Sequence, residues 1–298
     1  MTIEAEAQAV VVAAAPLWDS AADAQEVAPY DASSYPAYRE WVRGRLPDQQ
    51  PLKGRLHTVA LCGEPVRVLA RTAPSLVEVE LLAQPNGPTG YVGFMQAAHV
   101  GADARRRPTH VVAAHSVLAT PADAADAPLE LPAGTTVELL ADGGDRDPAE
   151  VLLASGATVR CSAAALRPLG AAAPADELLE IAAGFLGVPY LWSGTEAAGI
   201  DCSGLLHLAA RIGGRVVPRD AHHQWAATRL DAGEDDLEPG DLLFFGESAS
   251  LEGIDHVGVY AGDRRMLHAP EAGRQVILEP ISARARERTV AFGRYPAP

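Results

Sequence analysis

The feature that most constrains the fold of this chain is an internal repeat within its first 170 residues. Residues 63–70 (Gly-Glu-Pro-Val-Arg-Val-Leu-Ala) resemble residues 134–141 (Gly-Thr-Thr-Val-Glu-Leu-Leu-Ala). In each copy two further short apolar segments follow, and then an alanine-rich turn. Apolar residues alternate with acidic ones in residues 76–82, which is typical of a half-buried antiparallel strand. Short strands with repeated connectivity and Gly or Pro between them indicate two small β-barrels.

We assign the two barrels to residues 8–105 and 106–170. The first barrel contains an irregular insertion at about residues 28–54, and the second barrel begins near His110. The other predicted strands lie at residues 10–14, 90–95, 150–154 and 157–161.

A different pattern begins after a predicted linker at residues 170–174 and fills the third predicted domain, residues 175–298. Amphipathic helical segments come first and short apolar strands come afterwards. This order is typical of an α+β domain. The predicted helices lie at residues 176–185, 202–212 and 221–227, and the predicted strands at residues 242–245, 257–261, 266–269 and 276–278.

Composition excludes some classes of partner. The chain has 24 basic and 39 acidic residues, a net charge of −15, which is the opposite of what a nucleic-acid-binding or anionic-membrane-binding surface needs. No apolar run is long enough to span a membrane. The first basic residue is Arg39, whereas a secretory signal begins with a basic region. We therefore expect a cytoplasmic protein that binds neither nucleic acid nor membrane.

The three cysteines are far apart and form no CxxC pair, which argues against a zinc ribbon or a thioredoxin-like motif. Gly199 and Asp201 mark a turn, and an apolar run of helical length follows Cys202. Cys202 is thus predicted in the first turn of a helix, where backbone N–H groups and the helix dipole stabilise a thiolate. The alternative is a small buried apolar residue, which we favour for Cys62 and Cys161.

Two histidines downstream are candidate bases, because His256 and His268 lie in short strands that flank a predicted hairpin turn. A two-residue loop at residues 263–264 would place them on opposite faces, since facing alternates with every residue. A three-residue loop at residues 262–264 would place them on one face as diagonal neighbours, close enough for the rings to meet. In that case His268 could fix the tautomer of His256, and Cys202 would complete a Cys-His-His set.

From about residue 177 to residue 296 the chain resembles the NlpC-type cysteine peptidases, papain-like enzymes that cut bacterial cell-wall peptides. The resemblance implies that Cys202 is the nucleophile, His256 the general base, His268 the orienting residue and Tyr190 an oxyanion donor. The matching motifs are Pro189-Tyr-Leu-Trp192, Gly199-Ile-Asp-Cys-Ser-Gly204, Pro218-Arg-Asp220, Pro239-Gly-Asp-Leu-Leu-Phe-Phe245, Asp255-His-Val-Gly258 and Leu267-His-Ala269.

The two N-terminal repeats resemble bacterial SH3-like domains, so the expected architecture is two SH3-like β-barrels followed by a papain-like α+β peptidase domain. This combination resembles γ-D-glutamyl-L-diamino acid endopeptidases that recycle muropeptides. The resemblance implies amide hydrolysis through an acyl-enzyme, without metal or cofactor. Its small peptide substrate would be L-Ala-γ-D-Glu-diamino acid, with the free amine bound by Asp201 and Ser203. Tyr91 would cap that pocket, and Trp192 joins the predicted substrate-binding residues.

Some of these residues have a second interpretation. Asp201 is a good helix N-cap, and Tyr91 is equally suited to packing within its barrel. A carboxylate beside the nucleophile opposes thiolate formation, which favours a role for Asp201 in meeting a cation such as the substrate ammonium. We interpret His222-His223 as packing or solvent-exposed residues because no acidic or cysteine partner is spaced to join them in a metal site.

Two positions depart from the family pattern: Ser193 stands where a glycine is frequent, and Ala221 where a serine is frequent. Three rival functions remain open on the sequence alone. They are a secreted endopeptidase acting on intact peptidoglycan, a non-catalytic wall-peptide binding protein, and an acyltransferase that uses the same thiol.

Overall fold

A computed structural model describes residues 7–27, 34–105, 107–122, 127–144, 148–170, 172–231 and 233–296. It divides into two units, one of residues 1–83 and 89–170 and the other of residues 84–88 and 171–298. Within the described residues, no helix has the length and apolar character needed to cross a membrane.

Among the described residues between 8 and 168, the chain forms two antiparallel sheets of seven strands each. The first sheet consists of β1 (Gln8–Val10), β2 (Ala14–Trp18), β3 (Leu56–Leu61), β4 (Pro65–Ala73), β5 (Leu76–Asn86), β6 (Thr89–Gln96) and β7 (Val100–Ala102). The second consists of β8 (His110–Val112), β9 (Ser116–Pro121), β10 (Leu129–Pro132), β11 (Thr136–Ala141), β12 (Ala149–Leu152), β13 (Thr158–Cys161) and β14 (Leu166–Pro168).

The internal repeat is confirmed by the order of the strands. The first sheet runs β3-β2-β6-β5-β4-β1-β7, and the second runs β10-β9-β13-β12-β11-β8-β14, which is the same order shifted by seven strands. A short 3₁₀ helix precedes the last strand of each sheet, at Ala97–His99 and Ala163–Ala165. Each sheet also buries its own apolar cluster, as expected when every copy forms a separate small core.

Two details of the first copy differ from the sequence-based prediction. The strand predicted at residues 10–14 is wrong, because the chain turns there between β1 and β2. The insertion at residues 28–54 is not irregular, because α2 (Tyr35–Arg45) and a short 3₁₀ helix at Gln50–Leu52 lie within it; α1 (Ala21–Glu26) precedes it, and residues 28–33 lie outside the described residues. Serine side chains cap α1 and α2, and the apolar face of α2 is buried.

The described part of the second unit contains four further helices and a six-stranded antiparallel sheet, so the predicted α+β class is confirmed. The sheet order is β17-β22-β18-β19-β20-β21. The elements are α3 (Ala175–Ala183), β15 (Thr195–Glu196), β16 (Gly199–Ile200), α4 (Cys202–Ile212), α5 (Ala221–Thr228), β17 (Arg229–Leu230), β18 (Leu242–Gly246), β19 (Ile254–Tyr260), β20 (Arg265–His268), β21 (Ile277–Pro280), α6 (Ala283–Arg288) and β22 (Thr289–Gly293).

Helix α4 is the centre of this unit, because every one of its residues except Arg211 is buried. Small and aliphatic side chains let it pack closely against the sheet, and Leu206 and Ala210 share one apolar cluster with Phe244 and Val257. Burying a helix of this kind fixes its N-terminal residue firmly relative to β19.

The register of the β19–β20 hairpin places His256 and His268 on the same face of the sheet. Val259 pairs with Leu267 and Tyr260 pairs with Met266, which leaves a three-residue loop at residues 262–264. All three loop residues have a positive φ, with values of 80°, 50° and 55°. Of the two loops that the sequence left open, the three-residue loop is therefore confirmed.

Candidate active site

The start of α4 is fixed by contacts on both sides of Cys202. The Asp201 carboxylate caps the helix, because its Oδ1 accepts a hydrogen bond of 2.6 Å from the N–H of Gly204. The Asp201 N–H donates to the carbonyl of Gly194 at 3.1 Å. A Cβ added to Gly204 would lie 2.1 Å from that same carbonyl oxygen, so only glycine fits there. Cys202 is thereby held at the first position of the helix, as predicted.

The Cys202 thiol is buried, and all three cysteines of the chain are free. Burial, together with the negative charge of Asp201, raises the pKa of the Cys202 thiol to about 12, although backbone N–H groups of Val257 and Ser203 lower it. Desolvation therefore outweighs the N–H groups and the dipole of the helix start, which were expected to stabilise a thiolate there.

Arg219 is the charged partner that the sequence did not assign. Its guanidinium is 1% exposed and donates to both Asp201 oxygens, at 3.0 Å to Oδ1 and 2.8 Å to Oδ2. It also donates to Ser203 Oγ at 3.0 Å and to the Gly194 carbonyl at 3.3 Å. The cation beside Asp201 is therefore Arg219, and the charge argument no longer requires a substrate ammonium.

The two candidate histidines are in direct contact. Nε2 of His256 and Nδ1 of His268 are 2.8 Å apart, and the ring centroids are 5.1 Å apart. Burial, followed by the charges of His268 and Arg288, lowers the pKa of His256 to about 3, so its imidazole is neutral at physiological pH. Its neighbour Val257 is the residue whose N–H meets the Cys202 sulfur, which brings the thiol next to this part of β19.

Glu279 lies behind the histidine pair and was missed by the sequence reasoning. Its Oε1 is 3.0 Å from Nε2 of His268, and its Oε2 accepts a hydrogen bond of 3.4 Å from Arg274. Burial lowers the pKa of His268, while the Glu279 carboxylate opposes that shift. The predicted strand ended at residue 278, one residue short of this carboxylate.

Tyr190 lies close to the nucleophile. Its backbone forms a bridge with Ile200, and its side chain is buried. Burial, followed by the charges of Asp201 and Cys202, raises the pKa of the Tyr190 phenol. The phenol thus keeps its proton at neutral pH and remains able to donate a hydrogen bond.

The remaining predicted residues have different environments. Ser203 is buried, and its hydroxyl donates to Asp201 Oδ1 at 3.3 Å. Trp192 is 36% exposed, which suits a side chain that meets a ligand. Tyr91 lies on β6 in the first unit, where its ring is 5.2 Å from the ring of His57; its proposed role in substrate binding stays a prediction.

The departure at Ser193 has a structural consequence. This residue has a φ of 60°, which is the left-handed region that favours glycine. Serine at this position therefore carries backbone strain, beside the segment that supports the start of α4.

The sequence-based statement that no acidic residue joins His222-His223 is wrong. Potential ligand atoms of Asp220, His222 and His223 lie within 4.8 Å of one another, because all three residues belong to the start of α5. The positive end of the helix dipole opposes a cation there, and we assign no metal to this cluster.

Comparison with known proteins finds a family match over part of this chain. Residues 187–294 match the NlpC/P60 family. Over 114 residues the chain is 37% identical to a gamma-D-glutamyl-L-lysine dipeptidyl-peptidase from Bacillus subtilis, and the match covers 38% of this chain and 38% of that protein. A protein of the same name from Bacillus cereus is 37% identical over 108 residues, which is 36% of this chain and 32% of that protein. The matches thus span about a third of the length of these curated relatives.

A solved structure is similar over almost the whole chain. It is the crystal structure of an NlpC/P60 family protein from Bacillus cereus, with a TM-score of 0.84 and 27% sequence identity. The match covers 97% of this chain and 99% of that one, so it includes the N-terminal repeat as well as the residues around Cys202.

Proposed function

Because residues 187–294 form an NlpC/P60 domain, we propose that the chain is a cysteine peptidase that hydrolyses the amide bond between γ-D-glutamate and a diamino acid in cell-wall peptides. The observation that carries the proposal is the placement of the thiol beside the strand that holds the histidine pair. A buried thiol at the start of α4 faces the N–H of Val257, and the preceding residue, His256, is hydrogen-bonded to His268.

The proposed reaction begins with a neutral thiol and a neutral imidazole. As the Cys202 sulfur bonds to the substrate carbonyl carbon, its proton passes to Nδ1 of His256, the ring nitrogen that His268 does not use. The carbonyl oxygen then carries a negative charge, which the Tyr190 hydroxyl and backbone N–H groups at the start of α4 stabilise. The intermediate collapses when His256 returns the proton to the leaving amine.

The second half of the reaction regenerates the thiol. The acyl group is then a thioester of Cys202, and His256 takes a proton from the attacking water. The carboxylic acid leaves as the C–S bond breaks and the sulfur regains its proton. Chain and substrate supply every atom transferred, apart from the water that is consumed.

We propose that the substrate has a free N-terminal L-Ala, because the two relatives are named dipeptidyl-peptidases. Asp201 Oδ2 accepts one hydrogen bond from Arg219, and a carboxylate oxygen can accept a second from an ammonium group. Arg219 already balances the charge of Asp201. Losing the hydrogen bond between the substrate ammonium and Asp201 should therefore raise the free energy of the transition state by about 1.5–3 kcal/mol, as for other hydrogen bonds to charged groups. This corresponds to about 10–150-fold in kcat/KM.

The experiment compares L-Ala-γ-D-Glu-L-Lys with its N-acetylated form by mass spectrometry of the products. The wild type should release L-Ala-γ-D-Glu and lysine, Cys202→Ala should release neither, and acetylation should lower kcat/KM by about 10–150-fold. Asp201→Asn should reduce this discrimination. A purely structural effect of Asp201→Asn would lower both rates equally and leave the ratio unchanged.

The outcomes separate the proposed function from two of the three rivals. Equal rates on free and acetylated peptide, with release from intact peptidoglycan, would support the wall-cutting endopeptidase. Binding without hydrolysis in the wild type would support the non-catalytic protein. A substrate restricted to free peptides would fit recycling in the cytoplasm, which we propose as the place of action.

A further inference from the structure

Three polar side chains lie in a diagonal row across β19, β20 and β21. Continuing the β19–β20 register places His268 opposite Gly258, two residues along the strand from His256. A Cβ built on Gly258 would lie 3.3 Å from the Cβ of His268, which agrees with that placement. On the next strand His268 pairs with Ile277, two residues before Glu279. Because residues two apart share a face, all three side chains point to the same side of the sheet.

We propose that Glu279 is a positioning residue that sets the proton arrangement of both histidines, so that His256 presents an unprotonated Nδ1 to the nucleophile. The proposal rests on the proposed function, since it assigns His256 the task of accepting the Cys202 proton.

The direction of each hydrogen bond follows from the chemistry of Glu279. An ionised carboxylate can only accept hydrogen bonds, so the 3.0 Å contact requires a proton on Nε2 of His268. A neutral imidazole has only one N–H, so Nδ1 of His268 must be an acceptor. The 2.8 Å contact then requires a proton on Nε2 of His256. That leaves the lone pair of His256 on Nδ1.

The opposite arrangement would disable the base. If His268 carried its proton on Nδ1, this group would donate to Nε2 of His256. The proton of the neutral His256 would then lie on Nδ1, where the Cys202 proton must go. Without Glu279, nothing in the contacts of His268 among the described residues selects between these arrangements.

The carboxylate also acts once the proton has moved. After His256 accepts the Cys202 proton, both of its ring nitrogens carry hydrogen, and Nε2–H still donates to His268. The hydrogen bonds therefore keep their directions throughout the transfer. The negative charge of Glu279 stabilises the imidazolium through the intervening ring, and Arg274 holds the other oxygen of Glu279 at 3.4 Å.

The first part of the test reads the protons directly and requires no activity. In protein labelled with ¹⁵N-histidine, long-range ¹H–¹⁵N NMR spectra distinguish the two neutral tautomers. We expect His256 and His268 both to carry hydrogen on Nε2. In Glu279→Ala this preference should be lost, whereas Glu252→Gln, which removes an exposed carboxylate elsewhere in the unit, should leave the spectra unchanged. Finding Nδ1–H on His268 in the wild type would overturn the proposal.

The second part is kinetic and uses L-Ala-γ-D-Glu-L-Lys. Glu279→Ala should lower kcat by about 10–100-fold with KM unchanged, comparable to the loss of groups that orient a functional histidine in other sites. Glu279→Gln keeps an acceptor oxygen and should retain part of the rate. Because the carboxylate raises the pKa of His268, the NMR titration of that ring should move to lower pH in Glu279→Gln.

The two readouts separate failure of this proposal from failure of the proposed function. If the wild type hydrolyses no peptide, the NMR result still decides whether Glu279 sets the tautomers. If the wild type is active and Glu279→Ala keeps both its kcat and its tautomers, Glu279 is only a structural partner of His268.

Discussion

Removing the guanidinium of Arg219 should destabilise the second unit strongly. Arg219→Met keeps most of the side-chain volume but removes the donors to Asp201, Ser203 and Gly194. It leaves the buried Asp201 carboxylate without its cation. Breaking a buried ion pair by removing one partner typically costs about 3–5 kcal/mol, most of it from the charge left behind.

A matched control is available within the same unit. Arg288 makes a similar two-point contact with Asp255, at 2.8 and 2.7 Å, but both side chains are about half exposed. Solvent screens such a pair, so Arg288→Met should lower the free energy of unfolding by only about 0–1 kcal/mol. The contrast between the two arginines isolates the effect of burial from that of geometry.

Native-state hydrogen exchange of peptides from α4 is the suitable assay, because it reports this unit without requiring the whole chain to unfold in one step. Combining Arg219→Met with Asp201→Asn gives a double-mutant cycle. We expect the double variant to be more stable than the sum of the single effects predicts, by about 1–3 kcal/mol. Additive effects, or a loss of stability in Arg219→Met no larger than in Arg288→Met, would mean that the buried ion pair does not stabilise the start of α4.

Three further predictions concern single residues. Replacing Ser193, whose φ is 60°, with glycine should stabilise the unit by about 0.5–1 kcal/mol in hydrogen exchange; a loss of stability would contradict the strain. Burial lowers the pKa of His207 to about 3 from an ordinary value of 6.5, so the folded state binds fewer protons, and stability present above pH 6.5 is lost as pH falls toward 3. At pH 4.5 His207 alone should lower the free energy of unfolding by about 2–3 kcal/mol. The free energy of unfolding of His207→Asn should therefore depend less steeply on pH than that of the wild type. Because burial raises the pKa of the Cys202 thiol to about 12, its reaction with iodoacetamide should speed up about tenfold per pH unit between pH 7 and 9.5. A plateau below pH 8 would instead indicate a preformed thiolate.

Local signals in the sequence predicted the elements that carry the site. The Gly-Ile-Asp-Cys-Ser-Gly segment places Cys202 at the start of α4 because the N-cap and the close approach at Gly204 are local features. The histidine contact followed from strand parity once the loop length was known. The repeat was visible because both copies preserve the same turn and strand pattern.

The contacts that the sequence did not predict depend on tertiary structure. Arg219 reaches Asp201 across 18 positions of the chain, and its direction is set by the connection between α4 and α5. Glu279 reaches His268 through the register of β20 with β21, which the intervening connection fixes. The raised pKa of Cys202 reflects burial by elements distant in the sequence, and a helix start alone does not reveal it.

Partitioning with hydroxylamine shows whether Cys202 forms an acyl-enzyme during turnover. Hydroxylamine competes with water for a thioester, so turnover of L-Ala-γ-D-Glu-L-Lys in its presence should yield the γ-hydroxamate of L-Ala-γ-D-Glu together with the free dipeptide. The hydroxamate fraction should rise with hydroxylamine concentration, and Cys202→Ala should form neither product. Release of the free dipeptide alone at high hydroxylamine, or continued hydrolysis by Cys202→Ala, would mean that hydrolysis does not pass through a thioester on Cys202.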